Sequence, residues 1–418
     1  MRVGINTAVK KTLLQITQLL FSTAAGLGVS FVVSILNTHV LTPEEYGDVR
    51  YTVNLMTFFS TLLFLGFFVS GSRLLAISRD DQQKRSLRGC MLLILGGVTL
   101  ANMLLLTLWG WFFAPNAATQ KVIFYSLTVC AAPGLLYYIN TVCQGDNQIG
   151  RISLARLLPA LLYLGCGALI YKYYTAGSVM MLLLQNGIAC AVLLLLVLST
   201  GVRFGGMKKS FRMLSEENRR YGWMVYCGSV SNVSLAYLAG VTLGFFTRDN
   251  SNVAFYTLSL TLAMPLSMLP GIIGTVMFKR FAAENSIPRK VIVASVSLTL
   301  AAWVFFVLLI TPVVTFFYPP AYGAVAVWAS LLSLGMAIHG LGDMFNRFLG
   351  AHAQGRALRN GAILSGVVLL AGNILLVWLW GLRGAVITRI LGSLASCGSM
   401  VYYYIKYVKS NKKTGSLE

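Results

Sequence analysis

His339, Asp343 and Arg347 recur at every fourth residue, a spacing that sets them along one face of a helix. Asp343 is within reach of either neighbour. A His–Asp pair in an apolar setting is a candidate proton-coupling site, whereas an Asp–Arg pair near a helix end is an ordinary structural contact. Arg389 stands inside a long apolar run. A guanidinium buried there costs about 2.5–3.5 kcal/mol on insertion scales, so it either lines a polar cavity or snorkels to an interface. Arg50, Tyr51 and Asn54 form a third group. A cation beside an aromatic ring, with an amide one turn further on, suits a phosphate-bearing ligand, because Arg offers a two-pronged donor to phosphate. A plain interfacial anchor fits Arg50 equally well.

Other chemistry is thin. There is no phosphate-binding Walker loop, no His-Glu-x-x-His and no nucleophile elbow, and the chain has only three His. The seven Cys fall in or beside apolar runs without metal-site spacing and read as small packed hydrophobes. No enzymatic activity, cofactor or metal is expected. Pro265 and Pro270 interrupt one apolar run, and Pro133 and Pro159 interrupt two others. Each removes a helical hydrogen bond, so Pro265–Gly271 is a hinge candidate beside the simpler reading of a static kink. Amides such as Asn102, Asn186 and Asn373 are expected to bond between helices.

These side chains need elements to hold them, and composition says which. Of 418 residues, 57% are hydrophobic and only 11% charged, with mean hydropathy +0.74. A soluble domain carries about 25% charged residues, so lipid must solvate much of this chain. The apolar runs are continuous and near twenty residues, which selects membrane-spanning helices over a barrel. We read twelve spans, among them Thr12–Leu36, Tyr51–Ser72, Val122–Thr141, Tyr322–Phe345, Asn360–Leu382 and Gly384–Lys406.

The net charge of +21 sits between these runs, so it is topogenic and no nucleic-acid partner is implied. With both termini cytoplasmic, 27 of the 33 Lys and Arg fall in inside segments, five fall outside, and Arg389 lies within a span. This alternation supports the span count and the orientation together. The expected organisation is an N-terminal lobe at 1–200, a basic cytoplasmic connector at 201–220, and a C-terminal lobe at 221–418 ending in a short basic tail. Lys208–Arg220 carries an apolar stripe at Phe211 and Leu214, which suits contact with anionic membrane lipids.

The halves echo one another. Arg50-Tyr51-Thr52-Val53-Asn54-Leu55 opens the second span and Phe255-Tyr256-Thr257-Leu258-Ser259-Leu260 opens the eighth, about half the chain later. The fold class read from this is all-α membrane: two pseudo-symmetric six-helix lobes around a central cavity.

At Leu41-Thr42-Pro43-Glu44-Glu45-Tyr46-Gly47 the chain resembles the oligosaccharide (O-antigen type) flippases of the MATE-like MOP superfamily of polysaccharide transporters. It departs from their pattern at His39, usually Arg, and at Thr42, usually Gly. Trp380-Gly381-Leu382-Arg383-Gly384-Ala385-Val386 is similar to the family's entry to the last helix. Read physically, Pro-Glu-Glu starts a short helix and Gly47 turns the chain into the second span. The resemblance implies an undecaprenyl-pyrophosphate-linked oligosaccharide moved from the inner to the outer leaflet of a bacterial inner membrane. It implies action as a monomer, with a polysaccharide polymerase and chain-length regulator as protein partners. A cation-coupled exporter of small molecules is the alternative within the superfamily. A membrane polysaccharide polymerase is a third reading, disfavoured by the short external loops.

Overall fold

The computed structural model describes residues 25–414. Within them every regular element is helical. The first half holds α1 (Ala25–Val40), α2 (Pro43–Leu63), α3 (Phe67–Ile77), α4 (Asp81–Phe112), α5 (Ala117–Ser126), α6 (Ala132–Gly145), α7 (Ile149–Tyr173) and α8 (Ser178–Ser199). There follow α9 (Met207–Glu217), α10 (Trp223–Thr247), α11 (Ser251–Phe281), α12 (Arg289–Phe317), α13 (Val325–Ala351) and α14 (Gly355–Thr414). The start of the expected first span lies outside the described residues.

Seven of the described helices are long and apolar enough to cross a membrane, and nine if each of two bent pairs is one crossing. The twelve read from sequence differ from this at three places. Two are the shorter apolar stretches Ala25–Val40 and Leu235–Thr247. The third is α14, which runs as one element although Gly381 breaks its helical geometry at φ 52° and ψ −127°.

The chain divides into two compact units. One comprises residues up to Leu41 with Thr52–Cys227, the other Thr42–Tyr51 with Gly228–Glu418. The first unit therefore extends past the expected limit at 200 and takes in the whole 201–220 segment. A short stretch at the head of α2 belongs with the second unit.

In the first unit, the expected second span is not one straight helix. α2 and α3 meet at 63° across Phe64–Gly66, where Gly66 takes φ 82°. A break of this kind frees backbone carbonyls that need donors. Tyr226 donates its hydroxyl to the Leu62 carbonyl at 2.5 Å, and Asn218 donates Nδ2 to the Leu65 carbonyl at 3.0 Å. The connector is thus docked, not free. In α9, Leu214 is fully buried, the Phe211 ring stacks on Phe67, and Glu217 pairs with Arg73. A second bend, 41°, lies between the α5 end and α6, with Pro133 in the first turn of α6. Pro159, by contrast, sits inside α7.

The core of this unit runs through Phe68, Leu87, Met91, Leu135, Tyr138 and Leu214. Arg88 closes it on one side. It donates from Nε at 3.1 Å and Nη2 at 2.6 Å to Asp146, and from Nη1 to the Thr200 carbonyl. Asn102 bridges helices as expected, donating to Ser60 Oγ at 2.9 Å. Asn186 does not: it bonds to the Leu182 carbonyl of its own helix, where a one-turn acceptor is already at hand.

In the second unit α13 is the spine. Gly340 leaves room for the Ser267 backbone of α11, and Gly342 for Cys397 of α14; a Cβ on either would fall within 3.0 Å of those backbones. Such small-residue contacts let membrane helices approach closely. Asn373 reaches the Leu235 carbonyl at 3.4 Å. Pro265 and Pro270 both lie inside α11.

Candidate functional site

Close packing of α13 and α14 leaves a cavity of about 390 Å³ inside the second unit. α13 contributes His339, Gly342, Asp343 and Asn346, all on one face because their spacing follows the helical period. α14 contributes Ser365 and Leu369 before its break, then Arg389, Ser393 and Ser396 after it. Ala236 and Tyr237 of α10 complete the wall. Three residues singled out in sequence as two separate groups, His339 with Asp343 and Arg389, thereby share one cavity.

Their charges are unequal in consequence. Asp343 accepts from Arg347 Nε at 2.9 Å, one turn along α13, and lies 3.4 Å from Asn346 Nδ2. Its choice between the two neighbours falls on Arg347, so the carboxylate is neutralised within its own helix. Arg389 has Met336 Sδ at 3.5 Å from Nη2, and its Nε is buried without a hydrogen-bond partner. It makes no ion pair among the described residues. Sulfur is a weak acceptor. The cavity therefore presents one uncompensated cation beside serine hydroxyls and an amide, the donor set for an anionic or hydroxyl-rich ligand.

The second group lies at the head of α2. Thr42 and Glu45 form a reciprocal cap: Thr42 N–H donates to Glu45 Oε2 at 3.0 Å, and Glu45 N–H to Thr42 Oγ1 at 3.3 Å. The helix begins at Pro43, as the motif predicts, but it is not short; it runs on to Leu63. Gly47 is no turn. It sits inside this helix, and a Cβ there would lie 1.8 Å from the Asn250 carbonyl oxygen, so its role is close approach. Beside it Asn250 Nδ2 donates to Asp48 Oδ1 at 2.6 Å, both residues being buried.

Arg50 is half-buried, with its Nε unpartnered, and its guanidinium stands 4.9 Å from the Tyr46 ring centroid. Tyr46 in turn meets Tyr322 edge-on at 6.2 Å. The aromatic neighbour expected from sequence, Tyr51, is instead fully buried, close against Gly244. Successive residues of a helix diverge by about 100°, whereas residues four apart stack, which is why Tyr46 and not Tyr51 meets the cation. Asn54, one turn on, is half-buried and makes no hydrogen bond among the described residues.

This is the fold of the MOP-superfamily transporters. An inward-facing multidrug resistance MATE family transporter of that superfamily superposes with a TM-score of 0.73 at 16% identity, covering 92% of this chain and 95% of its own. The lipid II flippase MurJ, in an inward closed conformation, gives 0.72 at 13% identity, covering 95% and 89%. A MOP superfamily transporter from Pyrococcus furiosus, described as having a binding pocket of reverse polarity, gives 0.55 at 14% identity, covering 95% and 96%. The chain is a multi-pass membrane protein, and it belongs to the polysaccharide biosynthesis protein family, whose family model matches residues 14–283. No curated protein matches it in sequence.

Proposed function

We propose that this protein flips a polyprenyl-pyrophosphate-linked oligosaccharide from the inner to the outer leaflet of the bacterial inner membrane, for O-antigen or related surface polysaccharide assembly. The observation that carries this reading is the uncompensated Arg389 in a hydroxyl-lined cavity, in a chain of the polysaccharide biosynthesis family. A pyrophosphate leaving water needs fixed cations in a low-dielectric space, and a sugar needs hydroxyl and amide partners. Arg50 on its Tyr46 platform is the second cation offered to the phosphate. His339, with Asp343 beside it, is the group through which a proton gradient would act, and α11 with Pro265 and Pro270 is where bending would be absorbed.

The second reading, export of small molecules, draws on the equally good superposition with a MATE transporter. An exporter of cationic drugs needs an available carboxylate. Asp343, the acidic group on this cavity wall, is already paired with Arg347, which favours the anionic substrate.

The test is deletion of the gene with complementation, scoring surface glycan and the lipid-linked precursor left on the cytoplasmic leaflet. The flippase reading expects lost surface glycan and accumulated precursor, restored by the wild-type chain. Intact surface glycan with raised drug susceptibility in the deletion strain would sink it in favour of the exporter.

A further inference from the structure

The second unit carries another cleft, of about 370 Å³, that neither cation group explains. It is lined by Thr247 at the end of α10, Asn252 and Phe255 in the first turns of α11, Trp328 of α13, and Trp380–Arg383 at the break in α14. We propose that this cleft binds a pyranose ring bearing an acidic group, and that it receives the sugars of the translocated oligosaccharide on the external side. The external placement rests on the flippase reading above and on the Lys and Arg pattern.

The chemistry is that of the lining. A pyranose has an apolar face of C–H groups and a rim of hydroxyls. Electron-rich aromatic faces attract such polarised C–H groups, and indoles offer the largest of them. Trp328 and Phe255 are half-buried, while Trp380 is 55% exposed, and all three line the cleft. Polar groups stand beside the rings. Asn252 donates Nδ2 to Asp249 Oδ2 at 3.2 Å, and its side-chain carbonyl makes no hydrogen bond among the described residues. Arg383 is exposed and makes no ion pair or hydrogen bond among the described residues. A guanidinium of this kind matches a carboxylate or phosphate in two parallel bonds. The volume falls at the lower end of the roughly 300–1,000 Å³ of small-molecule sites, as suits one or two sugar rings.

The backbone at the cleft is unusual. Gly381 takes φ 52° with ψ −127°, a region that side chains disfavour, and a Cβ there would stand 3.2 Å from Thr247 Cγ2. The break falls between Trp380 and Arg383, and both line the cleft. Trp at a membrane interface is ordinarily an anchor. An anchor needs no cleft beside a broken helix, no unpaired guanidinium and no second indole lining the same space.

The experiment uses the purified full-length protein in nanodiscs, titrated with methyl glucuronide, methyl glucoside and glycerol phosphate, and read by tryptophan fluorescence. The expected result is a saturable change with both sugars. Trp380→Leu should abolish it, and Arg383→Gln should weaken the glucuronide about tenfold while sparing the glucoside. Trp223→Leu, an exposed tryptophan of the first unit, is the control and should leave both titrations unchanged. Unchanged melting temperatures confirm that the variants are folded, and Arg383→Gln, a surface change, keeps the test open if Trp380→Leu misfolds. No saturable response to either sugar, or an equal response to glycerol phosphate, overturns the assignment in favour of an anchor or a lipid-headgroup contact. The flippase reading fails separately: glucuronide binding with intact glycan export in the deletion strain keeps the cleft and removes the flippase.

Discussion

Arg347 donates from Nε to Asp343 Oδ2 at 2.9 Å, one turn away on α13, and Asp343 lines the cavity that Arg389 also lines from α14. The pair removes the negative charge that would otherwise face Arg389. On the flippase reading proposed above, the sign of the cavity's charge rests on three residues, two of which cancel.

Breaking the pair changes the sign of the site. Arg347→Ala leaves a carboxylate facing Arg389, and their attraction competes with an anionic ligand. Transport of a pyrophosphate-linked glycan is expected to fall strongly, and Asp343→Asn in the same chain should restore most of it. The measurement is surface-glycan display at matched membrane levels. If Arg347→Ala is as active as wild type, the pair is structural only.

Arg389 itself separates charge from geometry. Arg389→Ala removes the cavity's free cation; Arg389→Lys keeps a point charge but loses the planar fork. Glycan display should rank wild type, then Lys, then Ala, with the alanine variant down at least about tenfold. The alanine variant should also be no less stable to heat, because burying an unpaired guanidinium is costly. Lower stability together with full export would mean that Arg389 packs the lobe and does not meet substrate.

Gly47 tests the close approach at the head of α2. A methyl group there would meet the Asn250 carbonyl oxygen, a backbone atom that cannot step aside. Gly47→Ala should cost at least about 3 kcal/mol, with loss of folded protein on detergent extraction. Gly97→Ala is the counterpart: nothing lies within 4 Å of a Cβ at that helical position, so the melting temperature should hold or rise. Equal behaviour of the two variants would remove the argument for Gly47.

How much of this was legible in sequence follows from the range of the signals. Hydropathy is local, so the all-helical membrane fold could be read directly, while the count of crossings and the bends within them could not. The cap at Thr42–Glu45 is local too, and its motif lies where the helix starts. The helical spacing of His339, Asp343 and Arg347 put them on one face, but nothing along the chain says that Arg389 arrives opposite them. Tyr51 was the wrong ring because adjacency in sequence is divergence on a helix. Gly47 looks like a turn residue until Asn250, two hundred positions away, is seen against it. Gly66 hid the break between α2 and α3, since one glycine in an apolar run is compatible with a straight helix.

That break gives the last prediction. Leu65 and Gly66 both take positive φ where α2 stops and α3 starts, and this turns the Leu65 carbonyl out of the helical ladder. Asn218, on the short π-turn after α9, answers it twice: Nδ2 donates to the Leu65 carbonyl at 3.0 Å, and Oδ1 accepts from Ser70 Oγ at 3.2 Å. Asn218→Ala removes both partners and should cost about 1–2 kcal/mol, seen as a lower melting temperature in detergent. Asn218→Asp should be worse than alanine although it is the smaller change in shape. It keeps an acceptor for Ser70 but sets a carboxylate oxygen against the Leu65 carbonyl, acceptor facing acceptor. Hydrogen exchange should localise the effect, with faster exchange at the α3 start, Phe67–Ser70, and no change in α8. If aspartate is tolerated better than alanine, the amide's donor is not what holds the break, and the Tyr226 hydroxyl on the Leu62 carbonyl is left as its main support.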